Sequence, residues 1–133
     1  GTDTEFNVIL FSDSHSRWKP RLQLATERNL DSLREWLHEN GPGGATNLRA
    51  AILDALELRR DGSADLGRLR SDTMIVLCDG ATISGPDWVA PTLAKVRESA
   101  RLVFNCVYLG NNGDGTLELL ARESGGNFIH VKK

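Results

Sequence analysis

The segment Thr73-Met-Ile-Val-Leu-Cys-Asp-Gly80 joins an apolar run to an acidic residue and a glycine. A run of this length without a charge is typical of a strand that is covered on both faces, as strands of parallel sheets are. In open α/β sheets, ligands bind beyond the carboxyl ends of the strands. The segment therefore predicts a buried strand over residues 73–78, and it makes Asp79, directly after that strand, a candidate site residue.

Apolar patterns on either side of this segment predict alternating strands and helices. From residue 46 onward the two alternate, with connections long enough for right-handed crossovers. We therefore expect an α/β fold with a doubly wound, mostly parallel sheet and helices on both faces. Polar and apolar residues alternate over 21–25, which predicts one antiparallel edge strand. The predicted strands are residues 6–11, 21–25, 73–78, 101–109 and 128–131, the predicted helices are residues 26–37, 46–56, 88–100 and 117–124, and residues 59–72 are a predicted exposed connection.

The composition is that of one globular domain spanning residues 1–133. The net charge is −2, so no basic field attracts nucleic acid or anionic lipid. No apolar run approaches the roughly 20 residues of a membrane-spanning helix, and we expect no membrane insertion. Residues 1–5 match neither a signal peptide nor a transit peptide, and the localisation stays undetermined. Cys78 and Cys106 lie in predicted strands and are interpreted as buried thiols, with a disulfide left open if those strands are neighbours.

Several segments, in order along the chain, resemble those of a von Willebrand factor A domain. The resemblance covers nearly the whole chain, and it is strongest to the inter-alpha-trypsin inhibitor heavy chains and their bacterial relatives. It implies a non-catalytic protein-interaction or adhesion module whose protein partner the sequence does not identify. The segments are Phe6-Asn-Val-Ile-Leu-Phe-Ser12, Ala25-Thr-Glu-Arg-Asn-Leu30, Gly44-Ala-Thr-Asn-Leu48, Ile75-Val-Leu-Cys-Asp-Gly80 and Leu120-Ala-Arg-Glu-Ser-Gly-Gly-Asn-Phe-Ile-His-Val131.

The resemblance also implies a metal-ion-dependent adhesion site for Mg²⁺ or Mn²⁺, hard cations that take oxygen ligands. Such a site combines an Asp-x-Ser-x-Ser loop, a threonine at a helix start and an aspartate after a strand. Thr46 matches the threonine and Asp79 matches the aspartate, whereas Ala45 and Cys78 depart from the usual Gly-Gly-Thr and Thr-Asp-Gly patterns. Thr46 has an alternative role as a helix N-cap. A carboxylate directly after a buried strand needs a partner or a polar opening, which favours a site role for Asp79.

Residues 1–133 contain no Asp-x-Ser-x-Ser loop. The segment Ser12-Asp-Ser-His-Ser16 resembles this motif but has a different spacing. If Asp13 were the aspartate of the motif, serines would stand at positions 15 and 17, where the chain has His15 and Arg17. We interpret this segment as a solvated turn. In the family, a strand with that loop and a helix precede the segment that matches residues 6–11. We therefore expect a domain that lacks this opening strand and helix, with weak or absent metal binding.

If the domain lacks its central strand, two arrangements are open for the predicted strand over residues 6–11. It pairs directly with the strand over residues 73–78, or strand edges stay exposed and are filled by a partner or by a second copy of the chain in a homo-oligomer.

A different class of function is an enzyme or phospho-acceptor domain in which Asp79 is the reactive carboxylate. That chemistry needs further carboxylates or a lysine nearby, and the sequence identifies none. The segment Asn112-Gly-Asp-Gly115 echoes the centre of a calcium-binding loop, but the acidic residues that flank such a loop are absent, and we interpret it as a turn.

Overall fold

The structure is a computed structural model that describes residues 3–40, 46–56, 71–79, 81–98, 100–111 and 113–132. Most of the predicted connection over residues 59–72 therefore lies outside the described residues. None of the helices within the described ranges has the length and apolar character needed to cross a membrane. The elements are β1 (Glu5–Phe6), β2 (Ile9–Phe11), β3 (His15–Arg17), β4 (Gln23–Leu24), α1 (Glu27–Glu39), α2 (Leu48–Ala55), β5 (Thr73–Cys78), α3 (Val89–Arg97), β6 (Val103–Leu109), α4 (Thr116–Ser124) and β7 (Phe128–Val131).

A parallel sheet in the order β5-β6-β7 forms the centre of the fold. Helix α3 connects β5 to β6, and α4 connects β6 to β7, so each connection returns the chain to the same end of the sheet. Apolar residues of α2, α3 and α4 form one core with alternate residues of β5 and β6. These observations confirm the predicted α/β fold with a parallel sheet. The fully buried members of this core include Leu48, Leu56, Val89, Val96, Phe104, Cys106 and Leu120.

One face of this sheet is open to solvent in the described structure. The prediction that residues 73–78 are covered on both faces is wrong, because Val76 and Cys78 are buried whereas Ile75 is 70% exposed and Leu77 is 57% exposed. Ile129, on the same face of β7, is 55% exposed. Helices α2, α3 and α4 all contribute to the core on the opposite face. The described helices that pack on the sheet thus share one face of it.

The N-terminal strands form antiparallel pairs rather than joining this sheet. Strand β1 pairs with β4, and β2 pairs with β3. The predicted strand over residues 6–11 is interrupted because the Asn7 side chain accepts hydrogen bonds from Val8 N and Lys19 N and donates to Lys19 O at 2.7 Å. Among the described strands, β2 does not pair with β5. Direct pairing of these two strands, one of the two options from the sequence, is therefore wrong. The strand predicted within residues 21–25 is found as β4 and is antiparallel, but it pairs with β1 and is not an edge strand of the parallel sheet.

Both cysteines are buried thiols that form no disulfide, as interpreted from the sequence. Although β5 and β6 are neighbours, the register places Cys78 opposite Tyr108 and Cys106 opposite Val76. The disulfide that the sequence left open is therefore not formed. Burial raises the pKa of the Cys106 thiol to about 12.

Candidate functional site at the carboxyl edge of the sheet

Two backbone hydrogen bonds bring three loops together at the carboxyl edge of the sheet. Asn47 N donates to Ser12 O at 2.6 Å, which joins the start of α2 to the turn after β2. Ile83 N donates to Thr46 O at 2.9 Å, which joins the same helix start to the loop after β5. The β2 turn, the residues before α2 and the loop that follows Asp79 therefore form one surface, although their strands belong to different sheets.

Thr46 is not the N-cap of α2. The cap is Asn47, whose side-chain oxygen accepts a hydrogen bond from Ala50 N at 3.3 Å. The alternative role proposed for Thr46 from the sequence is therefore wrong, because a helix has one N-cap residue. Thr46 is half-buried, and its backbone carbonyl accepts a hydrogen bond from Ile83 N.

Asp79 is exposed at the end of β5. It therefore avoids the cost of burying a carboxylate, which the sequence had raised as an argument for a site role. Its backbone oxygen lies 3.3 Å from the point where a Cβ on Gly110 would be, so the ends of β5 and β6 approach closely. Gly110 has a φ of +132°, a conformation that favours glycine. Within the described parts of the chain, the Asp79 carboxylate forms no hydrogen bond or ion pair with a protein group.

The turn that the sequence predicted over residues 12–16 is found at residues 12–14, whereas His15 and Ser16 belong to β3 and pair with β2. Asp13 Oδ1 accepts hydrogen bonds from Ser12 Oγ and Ser14 N, both at 3.0 Å, and Ser12 N donates to Ser14 O at 2.7 Å. The carboxylate thus stabilises the turn between β2 and β3. The interpretation as a turn is therefore confirmed for residues 12–14 and is wrong for His15 and Ser16, which lie in a strand.

The side chains at this edge offer oxygen ligands, the kind that a hard cation takes, but fewer of them than the cation needs. Thr46 and Asp79 offer a hydroxyl and a carboxylate, whereas Mg²⁺ takes six oxygen ligands. No group of three or more histidine, cysteine or acidic side chains that could hold a metal is found among the residues described. Water and a partner's carboxylate would have to supply the remaining ligands.

Asp114 is the most strongly hydrogen-bonded carboxylate near this edge, and the sequence interpretation as a plain turn missed it. Its Oδ2 accepts hydrogen bonds from Thr82 N and Thr82 Oγ1, both at 2.8 Å, and its Oδ1 accepts from Thr116 N at 3.0 Å. The hydroxyls of Thr82 and Thr116 also lie 3.3 Å from each other, beside this carboxylate. Partial burial alone would raise the pKa of Asp114, but the hydrogen bonds from Thr116 and Thr82 outweigh it and lower the pKa below its usual value.

A local signal for this role was present in the sequence. Asp114 stands two residues before the first helical residue of α4, where an acidic side chain can accept from an unpaired backbone N–H. Its second partner, Thr82, lies 32 residues away in the chain and follows a different strand. That partner depends on the fold and carries no local sequence pattern.

The chain is similar in sequence to heavy chains of the inter-alpha-trypsin inhibitor. It is 29% identical over 126 residues to pig inter-alpha-trypsin inhibitor heavy chain H1, an alignment that covers 91% of this chain and 14% of that protein. It is 33% identical over 129 residues to mouse inter alpha-trypsin inhibitor, heavy chain 4, covering 92% of this chain and 14% of that protein. The chain thus spans about one seventh of the length of these curated relatives.

A family model describes nearly the whole chain. The von Willebrand factor type A domain model matches residues 1–129. The parallel sheet and the order of strands and helices agree with such a domain. This match, together with the relatives above, confirms the resemblance found in the sequence, and the chain belongs to the von Willebrand factor type A domain family.

Proposed function

We propose that this domain is a non-catalytic protein-interaction module whose contact surface is the carboxyl edge described above. The observation that carries the proposal is the hydrogen bond from Ile83 N to Thr46 O, which joins the loop after Asp79 to the start of α2. Together with the bond from Asn47 N to Ser12 O, this bond holds three loops as one surface, and the side chain of Ile83 is 60% exposed within it. A fixed surface with an exposed apolar side chain and an exposed carboxylate suits recognition of a protein.

The adhesion-type metal site is incomplete in residues 1–133, because Thr46 and Asp79 match two of its three parts. In this proposal the domain binds its partner mainly through the protein surface. A divalent cation at Thr46 and Asp79 would be bound weakly, with a carboxylate of the partner as a further ligand.

Site-specific photo-crosslinking tests the proposed surface. A benzophenone amino acid replaces Ile83 at the carboxyl edge, and a matched variant carries it in place of Arg101, an exposed residue at the amino end of β6. Both proteins are expressed in the cells that naturally contain the domain and are irradiated. We expect a discrete protein adduct with the Ile83 variant, and its loss when Asp79→Ala is added to that variant.

Adducts of equal yield from the Ile83 and Arg101 variants would contradict a surface confined to the carboxyl edge. The absence of any adduct from the Ile83 variant, in cells where it is folded and irradiated, would contradict an interaction through this edge.

The alternative function, an enzyme or phospho-acceptor that uses Asp79, makes a different prediction. Incubation with acetyl phosphate or with a nitrophenyl ester would then give phosphorylation or turnover that disappears in Asp79→Asn. Among the residues described, no hydrogen bond or ion pair joins Asp79 to a lysine or to a second carboxylate that would activate it. The interaction module is therefore the better supported of the two functions.

A further inference from the structure

Arg17, at the end of strand β3, binds the far end of helix α2. Its Nη2 donates hydrogen bonds to the carboxylate Oδ2 of Asp54 at 2.9 Å and to the backbone oxygen of Asp54 at 2.8 Å, and its Nε donates to the same Oδ2 at 3.2 Å. Asp54 is the last residue but one of α2. The last carbonyls of a helix have no partner within it, and a positive charge beside them is favourable. Arg17 therefore pairs with both the side chain and the backbone at this end of the helix.

The hairpin that β2 and β3 form is also attached to the start of α2. Asn47, the N-cap of α2, donates from its backbone N–H to Ser12 O at 2.6 Å and from its side-chain amide to Asp13 O at 3.4 Å. Phe11 of β2 packs against the core to which α2 contributes. An α-helix rises by about 1.5 Å per residue, so Asn47 and Asp54 lie about 10 Å apart along the axis. The hairpin thus lies along α2 and is attached near both of its ends.

The guanidinium of Arg17 is engaged in contacts within the chain. Its Nη1 donates to Pro20 O at 3.3 Å, so each of its nitrogens donates to a group of the protein itself. The side chain is only 23% exposed. A guanidinium whose donors are used in this way is poorly placed to bind a carboxylate of another protein. Any effect of Arg17 on binding must therefore pass through the position of the hairpin.

The position of the hairpin matters because its turn is part of the carboxyl edge. The turn over residues 12–14 is one of the three loops of that surface, and it reaches the start of α2 through hydrogen bonds with Asn47. Hydrogen bonds at this end alone would let the hairpin tilt against the helix. The bonds from Arg17 to Asp54 hold the other end and oppose that tilt. Arg17 supplies this second attachment from the end of α2 that lies away from the surface.

We propose that Arg17 is a positioning residue for the carboxyl edge. Through Asp54 it holds the hairpin against α2 and so keeps the turn over residues 12–14 beside Thr46. A residue outside the surface then determines how well the surface binds a partner. The attachment is strong for its size, because a charge-assisted hydrogen bond is roughly twice as strong as one between neutral groups. The consequence for binding rests on the proposed function, whereas the position of the turn does not.

Amide hydrogen exchange, followed by NMR, tests the position of the turn in three variants. Arg17→Met removes every donor of the side chain and keeps an unbranched chain. Arg17→Lys keeps the charge and loses the planar fork that contacts Asp54 at two atoms. The matched control is Arg34→Met, which removes an exposed ion pair of 2.7 Å between Arg34 and Asp31 on α1 and leaves the hairpin unchanged.

Three backbone amides distinguish a displaced turn from a general loss of stability. The amide of Asn47 reports the contact between the turn and α2, that of Trp18 reports the hairpin itself, and that of Cys106 reports the parallel sheet. In Arg17→Met we expect the protection factor of Asn47 to fall about tenfold, and in Arg17→Lys about threefold, because charge-assisted bonds are lost or weakened. The protection factors of Trp18 and Cys106 should change by less than about twofold, since local opening leaves other regions protected. Arg34→Met should change none of the three.

An unchanged protection factor of Asn47 in Arg17→Met would overturn the inference. An equal loss of protection at Asn47, Trp18 and Cys106 would do so as well, because Arg17 would then only stabilise the fold. If Arg17→Met does not fold, Arg17→Lys keeps the test decisive, since unchanged protection of Asn47 in that variant would contradict a role for the fork.

The crosslinker at Ile83 measures the consequence for binding. We expect the yield of its protein adduct to fall by about threefold or more when Arg17→Met is added, and to stay the same with Arg34→Met. Loss of Asn47 protection with an undiminished adduct would overturn the link between Arg17 and binding and leave the proposed surface standing. Absence of any adduct would reject the proposed function, whereas the protection factors would still decide whether Arg17 positions the turn.

Discussion

At the scale of single residues, the carboxyl edge contains two aspartates with opposite environments. Asp79 is exposed, and within the described residues its carboxylate forms no hydrogen bond or ion pair. Asp114 accepts three hydrogen bonds from Thr82 and Thr116 and stabilises the protein itself. A family motif points to Asp79, and a local pattern points to the bond between Asp114 and Thr116 N, whereas only the folded structure reveals the bonds between Asp114 and Thr82.

The exposed position of Asp79 leads to a prediction about metal binding. Because Thr46 and Asp79 supply two protein oxygens where Mg²⁺ takes six, we expect isothermal titration with MgCl₂ to show no saturable heat at micromolar concentrations. The Asp79→Asn variant should give the same titration. Micromolar affinity for Mg²⁺ or Mn²⁺ that disappears in Asp79→Ala would show instead that residues 1–133 hold a functional metal site.

At the scale of elements, the start of α2 has separate residues for capping and for the surface. Asn47 caps the helix through Ala50 N, and its backbone N–H donates to Ser12 O. Thr46, one residue earlier, binds Ile83 through its backbone carbonyl, which no side-chain substitution removes. The two adjacent residues therefore differ in what their side chains do for stability.

This division predicts different effects of two neighbouring substitutions. Asn47→Ala should lower the free energy of unfolding by about 1 kcal/mol, because a helix N-cap is lost. Thr46→Val, which removes a hydroxyl at nearly constant volume, should change it by less than about 0.5 kcal/mol. Urea unfolding followed by far-ultraviolet circular dichroism measures both. If Thr46→Val lowered the free energy of unfolding by more than Asn47→Ala does, Thr46 and not Asn47 would be the N-cap.

The periodicity of apolar residues was sufficient to predict the helices that pack on one face of the parallel sheet. The helix α3 is found within its predicted range, with Pro91 in its first turn where proline is tolerated. The N-cap Thr26 was also predictable, since its partner Asn29 N is three residues away. The break at Asn7 was not, because it depends on contacts with Lys19, which only the folded chain brings near. The exposed face of β5 was missed since a continuous apolar run looks the same whether one face or both are covered.

At the scale of the whole molecule, the described sheet has an uncovered face and an open edge. Strand β5 pairs with β6 on one side, and no described strand pairs on its other side. Ile75 and Leu77 of that strand are exposed on the uncovered face. An open edge with apolar neighbours is a template for pairing with another chain.

We therefore expect residues 1–133 to self-associate as their concentration rises, the homo-oligomer that the sequence suggested. Ile75→Thr combined with Leu77→Thr keeps β-forming side chains and removes apolar surface, so association should weaken. Sedimentation velocity over a range of concentrations measures this. As a control, Ile83→Thr removes an exposed apolar residue away from the sheet face and should leave association unchanged. A monomer at every concentration tested would contradict the expectation.

The burial of both thiols has a practical consequence for chemical labelling. With a pKa of about 12, Cys106 is almost entirely in its unreactive protonated form at neutral pH, and its side chain is 1% exposed. Cys78 is also buried, at 6% exposure. A single cysteine introduced at an exposed position can therefore carry a maleimide dye while both native cysteines stay in place. Fluorescence measurements with a dye at either edge of the sheet then require no substitution of the core cysteines.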